Sequence, residues 1–437
     1  MKILSITAGA ANMYCGSCLR DNSLARELIR QGHDVILLPL YTPTKTDEPN
    51  VSQPRVFFGG ISIYLEQKMS LFRRTPKLLD RVWDAPPVIA AFAGRGITVD
   101  PGDLGALTVS MLEGAEGRQA KEIEKLTEWL ATEPRPEVVT LPYTLLIALA
   151  RPLKRVTGRP VICTLQGEEL FLEGLPEPHR SRALTLIRSE VEHVDRFIAV
   201  SDYEARFMSS YLGIPEAKIR TVPLGINLDG FEPAERNDGV FRVGYLARVA
   251  PEKGLHLLAK AFQLFRAKSD AQVKLEAAGY LAPEHKNYLA GIQAKCPELH
   301  YHGEVDRAGK IAFLQSLDVL SVPCTYDEPK GLFVLEALGC GVPVVQPRRG
   351  SFPELLGQTQ GGLLTEPDSA EALADALLRL VEDASMRREL GRLGMENVRR
   401  EWTVEIMARR AADVYALKDS SIPSDGAIEG QLPAGAA

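Results

Sequence analysis

The sequence predicts an α/β protein made of two doubly wound domains. Three observations predict it. At 437 residues the chain is longer than one hydrophobic core supports. Short apolar, β-branched runs alternate with helical stretches twice over, once in residues 1–228 and again in 239–400. Between them Leu228 to Asp238 carries Pro233 and mixed charge, the composition of a linker.

Taken in order, Lys2 to Thr7 is an apolar strand and Gly9 to Ser17 a loop. Leu19 to Gln31 is helical and ends at Gly32, and Asp34 to Pro39 is the next strand. That is the entry unit of a doubly wound domain, whose ligands sit at the carboxyl ends of the strands. It lacks a G-x-G-x-x-G, so a nicotinamide dinucleotide is not indicated. From about 41 to 135 the alternation breaks down, over a stretch too long for a connection, which predicts an inserted and mostly helical subregion. Alternation resumes with Glu137 to Pro142, a helix from Leu145 to Val156, the strand Pro160 to Leu165, a helix near Ser181 to Glu192, the strand Arg196 to Ser201 and the helix Tyr203 to Leu212. The second domain opens on Phe241-Arg-Val-Gly244, and its loop feeds a helix from Leu255 to Lys268, followed by the strand Val273 to Ala278. Three strongly helical stretches close the chain, at Asp368 to Asp383, Met386 to Glu401 and Thr403 to Ala416. Residues 419–437, rich in Ser, Pro, Gly and Ala, predict a disordered tail.

The chemistry gathers in residues 318–346, which read as strand, loop, helix, strand. The loop ends at Gly331-Leu332-Phe333, where unpaired helix-start N–H groups and the positive end of the helix dipole suit an anion such as phosphate. Glu328 precedes that helix and Glu336 lies about one turn inside it. Carboxylates beside a phosphate site repel the phosphate, so they are aimed at sugar hydroxyls, and a phosphate with two polyols describes a nucleotide sugar. Arg248 and Lys253 stand on another loop before a helix start, where two cations would hold a diphosphate.

Glu328, seven residues, Glu336, then Ala337-Leu-Gly-Cys-Gly-Val-Pro-Val-Val345 resembles the E-x7-E signature of the retaining glycosyltransferases of group 1, or family 4, which have the GT-B fold. Arg248 and Lys253 match the family's phosphate-binding basic pair in spacing. The resemblance implies two Rossmann-like domains across a cleft, with the donor held by the second and the acceptor by the first. It implies that 401–418 crosses back to the first domain. It places Gly16 and its neighbours by the donor phosphates, and a turn at His300-Tyr-His302-Gly303 by the base. It implies Arg248, Lys253 and Glu328 as catalytic, with Gly331, Leu332, Phe333 and Glu336 on the donor, Glu336 at the ribose and Glu328 at the transferred sugar. The co-substrate would be a nucleoside-diphosphate sugar, with neither cofactor nor metal. The pattern breaks at Gln166-Gly167-Glu168-Glu169, where the family usually carries a His facing the sugar. Gln166 can hydrogen-bond a hydroxyl but cannot titrate. A GT-B epimerase or phosphorylase, or a binding protein without turnover, stays open as an alternative.

Composition bounds the partners. A net charge of −6 offers no global attraction to nucleic acid or anionic lipid. Residues 55–99 are the local exception, with seven basic residues, Arg73, Arg74 and Lys77 among them, against three acids and interleaved aromatics. Such a stretch suits an acceptor surface or peripheral membrane contact, and equally a helical subdomain with an apolar inner and a basic outer face. Cys15-Gly16-Ser17-Cys18 is read as loop geometry, because no second Cys or His pair follows at metal spacing. With a short, singly charged start and no run of ~18 apolar residues, a cytoplasmic protein is expected, with 55–99 a candidate for contact at the inner face of a membrane.

Overall fold

The computed structural model describes residues 1–9, 16–54, 56, 101–234 and 238–417. Cys15, the tail beyond 417, and all of 55–99 except residue 56 lie outside the described residues, and with them the expectations for Arg73, Arg74 and Lys77. Two six-stranded sheets, parallel throughout, form the two halves. The first contains β1 (Lys2–Thr7), β2 (Asp34–Pro39), β3 (Val138–Leu141), β4 (Val161–Leu165), β5 (Arg196–Ala199) and β6 (Ile219–Thr221), in the order β2-β1-β3-β4-β5-β6. The second contains β7 (Val240–Leu246), β8 (Gln272–Ala278), β9 (Leu299–Tyr301), β10 (Val319–Leu320), β11 (Val344–Pro347) and β12 (Gly362–Thr365), in the order β12-β11-β10-β7-β8-β9. Every residue of β3, β4 and β11 is buried, because helices cover both faces of a parallel sheet. This explains why these strands read as continuous apolar runs.

Each sheet has one point where the strand order reverses, between β1 and β3 in the first and between β7 and β10 in the second. Crevices at such switch points are where ligands sit in open α/β sheets. The loop after β7 carries Arg248 and Lys253, and the loop after β10 carries Glu328. The sequence spacing that brought these residues to notice is therefore a consequence of topology.

Local departures from the sequence expectation have local causes. The stretch expected as a helix from Leu145 begins as a tight 3-10 turn, Thr144–Leu149, and becomes α-helical at Ala150–Thr157. Pro152 lacks an N–H and is tolerated only in a first helical turn, which fixes that start. The apolar run from Val319 to Pro323 pairs as a strand only over Val319–Leu320. The inserted region contributes the helices Pro101–Leu112 and Ala120–Thr132 among the described residues.

The chain passes between the halves twice, side by side. Ile226 N–H donates to the Trp402 carbonyl at 2.9 Å and Val404 N–H to the Ile226 carbonyl at 3.0 Å. A Cβ at Gly225 would lie 2.1 Å from the Thr403 carbonyl oxygen, so only glycine lets the two crossings approach. The Val404–Tyr415 helix then packs Met407, Ala408 and Ala411 on Ile3, Val138, Ile162 and Ile198 of the first sheet.

Candidate active site

A cavity of about 470 Å³ opens between the carboxyl ends of the two sheets. Gly16, Gln166, Arg248, Lys253, Glu328, Leu332, Phe333 and Glu336 all line it. Gly331 completes the set from the start of the Leu332–Gly339 helix. Its φ is +66°, and a Cβ there would meet Leu355 Cδ2 at 2.9 Å, which is why the loop turns into the helix on a glycine. Leu332 and Phe333 follow as the first helical residues, whose N–H groups no intrahelical carbonyl takes up.

Glu328 is buried at the centre of this wall. Its Oε2 accepts from Lys253 Nζ at 2.5 Å and from the Tyr326 hydroxyl, and its Oε1 from the Lys330 and Gly331 amides at 3.2 and 3.4 Å. Burial by itself raises the carboxyl, but the Lys253 ammonium, its hydrogen bonds and Lys330 outweigh that and hold it at about 2. The Gly331 N–H expected to face an anion is thus spent on Glu328, and the free amides of the site are those further along. Lys253 lies 5.0 Å from the Tyr326 ring centroid and 5.8 Å from that of Phe333. With Tyr326 and Glu328 taking two of its donors, a third stays available to a ligand. Arg248 is half exposed at the rim, bonded to Glu252 at 2.7 Å.

Glu336 leads to residues that sequence reasoning missed. Its Oε1 accepts from Lys310 Nζ at 2.6 Å, and the same ammonium reaches Asp47 of the first domain at 2.9 Å. Burial favours the neutral amine, yet Glu336 and Asp47 more than reverse that and push the Lys310 ammonium above its ordinary range. Beside it Arg307 reaches Glu48 at 3.3 Å, and Lys330 donates to Ser17 Oγ at 2.9 Å. Glu354 accepts the Asp202 and Tyr203 amides at 3.0 and 2.9 Å, capping a first-domain helix from the second domain. Lys330 could have been noticed inside the E-x7-E window. Lys310 and Asp47 carry no local signal.

The first-domain wall differs. Gln166 Nε2 donates to the Pro142 carbonyl at 2.8 Å, which leaves Oε1 buried with no hydrogen-bond partner. Glu168 accepts from the Gln166 amide at 2.7 Å and from Thr144, fixing the loop. Glu204 Oε1 accepts from the Gly167 amide at 3.1 Å, while its Oε2 and Glu169 Oε2 are buried and unpartnered. Burial, with Glu169 and Glu168 close by, pushes the Glu204 carboxyl up to about 9. Burial and Glu168 raise Glu169 to about 7.

Two doubly wound domains with a cavity between the carboxyl ends of their sheets make the GT-B fold. Comparison with known proteins agrees. The family described as "Glycosyl transferases group 1" matches residues 230–396, and "Glycosyl transferase 4-like domain" matches 22–225. The chain belongs to the group 1 glycosyltransferases and is a glycosyltransferase enzyme. It is 25% identical over 288 residues to the GDP-mannose-dependent monoacylated alpha-(1-6)-phosphatidylinositol monomannoside mannosyltransferase of Corynebacterium glutamicum, covering 62% of this chain and 73% of that protein. It is 24% identical over 380 residues to the D-inositol 3-phosphate glycosyltransferase of Pseudarthrobacter chlorophenolicus, covering 82% and 89%. In fold it is similar to sucrose-phosphate synthase from Thermosynechococcus elongatus, with a TM-score of 0.69 at 19% identity over 95% of this chain and 98% of that one.

Proposed function

We propose that the enzyme moves a sugar from a nucleoside-diphosphate sugar to an acceptor hydroxyl, with retention at the anomeric carbon. One observation carries the reading. The Lys253–Glu328 pair, the Leu332–Phe333 helix start and Glu336 converge on one cavity at the strand switch point. The bond from the anomeric carbon to the diphosphate oxygen breaks through an oxocarbenium-like transition state, and negative charge grows on the leaving diphosphate. Lys253, Arg248 and the helix-start amides sit where that charge develops and stabilise it more than the ground state. Glu336 holds the ribose hydroxyls, with Lys310 fixing its rotamer. Glu328, ionised and locked in place, accepts from hydroxyls of the transferred sugar. The acceptor hydroxyl forms the new bond on the face the diphosphate leaves.

The two relatives named above act on an inositol phosphate and on a phosphatidylinositol mannoside, which supports a phosphorylated or lipid-linked polyol as acceptor. The basic and aromatic composition of 55–99 suits such an acceptor and peripheral contact with a membrane. No helix among the described residues is long and apolar enough to cross a membrane.

The test is a turnover assay with GDP- and UDP-sugars against inositol-type acceptors, with the product's anomeric configuration read by NMR. Donor-dependent product of retained configuration is expected. An inverted product, or turnover that requires inorganic phosphate, would refute the reading. Neutralising Arg73, Arg74 and Lys77 together should slow transfer and leave donor hydrolysis intact. Loss of nucleotide-sugar binding in that variant would remove the stretch from the acceptor role.

A further inference from the structure

We propose that Glu276, His300 and His302 form a binding site for a first-row transition ion of the zinc class, on the edge of the second sheet and outside the cavity. Topology places the three together. Glu276 on β8 is in register with His300 on the edge strand β9, and His302 follows two residues later. Side chains at i and i+2 of an extended segment share a face, and strand neighbours lie about 4.8 Å apart. The ligand atoms of all three lie within 4.8 Å of one another. His300 Nδ1 is 3.0 Å and His302 Nε2 2.8 Å from the same Glu276 oxygen, Oε2. Among the described residues this is the one group of three such side chains with that convergence.

The donor set fits the ion. Two imidazoles and a carboxylate suit zinc, which takes nitrogen at about 2.0–2.1 Å and oxygen at about 2.0–2.2 Å in a tetrahedron, so neighbouring ligand atoms end up roughly 3.4 Å apart. The imidazole nitrogens lie 2.8–3.0 Å from the carboxylate oxygen and all three ligand atoms lie within 4.8 Å of one another, which brackets that spacing. In the metal-free form each ring turns an N–H toward Oε2. On binding, each ring gives that nitrogen's lone pair to the ion and carries its proton on the other nitrogen. Phe313 packs edge-on to His302 at 5.4 Å and holds its ring plane. Arg242, a cation that interacts with Glu276, is engaged by Asp238 at 2.6 Å. His300 is well exposed, leaving water room for a fourth ligand.

The site bears on the cavity through the backbone. Gly279 N–H donates to the Gly303 carbonyl at 2.9 Å, and Gly279, Tyr280, Glu304 and Val305 line the cavity. An ion bridging β8 and β9 would therefore clamp the two loops at that rim.

Untagged, chelator-treated full-length protein titrated with ZnCl2 by calorimetry should bind one ion per chain. His300→Ala combined with His302→Ala should weaken this by about 100-fold or more, and Glu276→Gln by about 10-fold or more. Both histidines are partly exposed, so the double variant should keep its Tm in the absence of metal, which circular dichroism checks. Absence of zinc binding in the wild type, or binding unchanged in the histidine double variant, would overturn the proposal. Zinc lost on replacing Cys15 and Cys18 by Ser, and kept without the histidines, would overturn it too.

Discussion

On the second-domain wall of the cleft, Glu328 is buried, which raises its carboxyl, yet Lys253, Tyr326 and Lys330 hold it at about 2. Behind the first-domain wall, Glu204 is buried and Glu169 half-buried, neither has a cation bonded to it among the described residues, burial pushes them up to about 9 and about 7, and with Gln166 they leave three oxygens unpartnered. The same residue type thus meets opposite fates a short distance apart. A wall whose charges are already paired has little to reorganise when a diphosphate arrives, as electrostatic stabilisation of a leaving group requires. Behind a wall that presents Gln166, whose Oε1 is a spare acceptor, carboxyls that hold their protons add little charge to the cavity. The difference fits the proposed roles, a fixed side for the donor and an adaptable side for the acceptor.

The contrast is broken most strongly at Lys253. Lys253→Ala strips Glu328 of its partner and removes leaving-group stabilisation, so kcat should fall by roughly 10² to 10³, and Arg248→Ala, at the half-exposed rim, by less. In both, kcat should fall more than KM rises, since the charge they meet develops toward the transition state. Steady-state kinetics decides it, and an effect confined to KM would place both residues in ground-state binding.

Glu328→Ala tests the stability side of the same pair. It leaves a buried ammonium uncompensated, which should cost about 3 to 5 kcal/mol in denaturant unfolding. A loss under about 1 kcal/mol would show that Lys253 finds another partner.

Glu336→Gln comes next in size. Removing one charge-assisted bond to the ribose should weaken nucleotide-sugar binding by about 1.5 to 3 kcal/mol, read by calorimetry. Unchanged donor affinity would take Glu336 out of the site and leave it as the counter-ion of Lys310.

How much of this was legible in the sequence follows from where each signal lives. The parallel, buried strands announced themselves as apolar runs, and the Glu328–Glu336 unit is one contiguous βαβ whose geometry its own glycines fix. Arg248 and Lys253 share a single loop and were readable for the same reason. The Asp47–Lys310–Glu336 bridge was not, because Asp47 and Lys310 lie 263 residues apart and nothing periodic links them. Glu204 was hidden differently. It sits three residues after the capping Ser201, where an acid ordinarily faces solvent, and only packing of the Asp202–Leu212 helix against the Gln166–Glu169 loop buries it.

The last effect is the one that separates the walls by pH. Glu204 has an ordinary value of 4.5 and is raised to about 9 in the fold, so between those values the folded chain keeps a proton that the unfolded chain has lost. Its contribution is fully favourable below 4.5 and is lost as pH climbs through 9. Glu328 runs the other way, contributing above 4.5 and failing only as pH falls toward 2. Glu204→Gln keeps an acceptor for the Gly167 amide but cannot ionise. Its Tm should therefore match the wild type near pH 5 and exceed it by a few degrees near pH 9. Glu169→Gln should show the same trend, with most of its gain already present at pH 7 to 8, because Glu169 is raised only to about 7. Differential scanning fluorimetry across pH 5 to 9 reads all three proteins. Parallel wild-type and Glu204→Gln curves would mean that Glu204 is ionised in the folded enzyme, and the contrast between the walls would then rest on Glu169 and Gln166 alone.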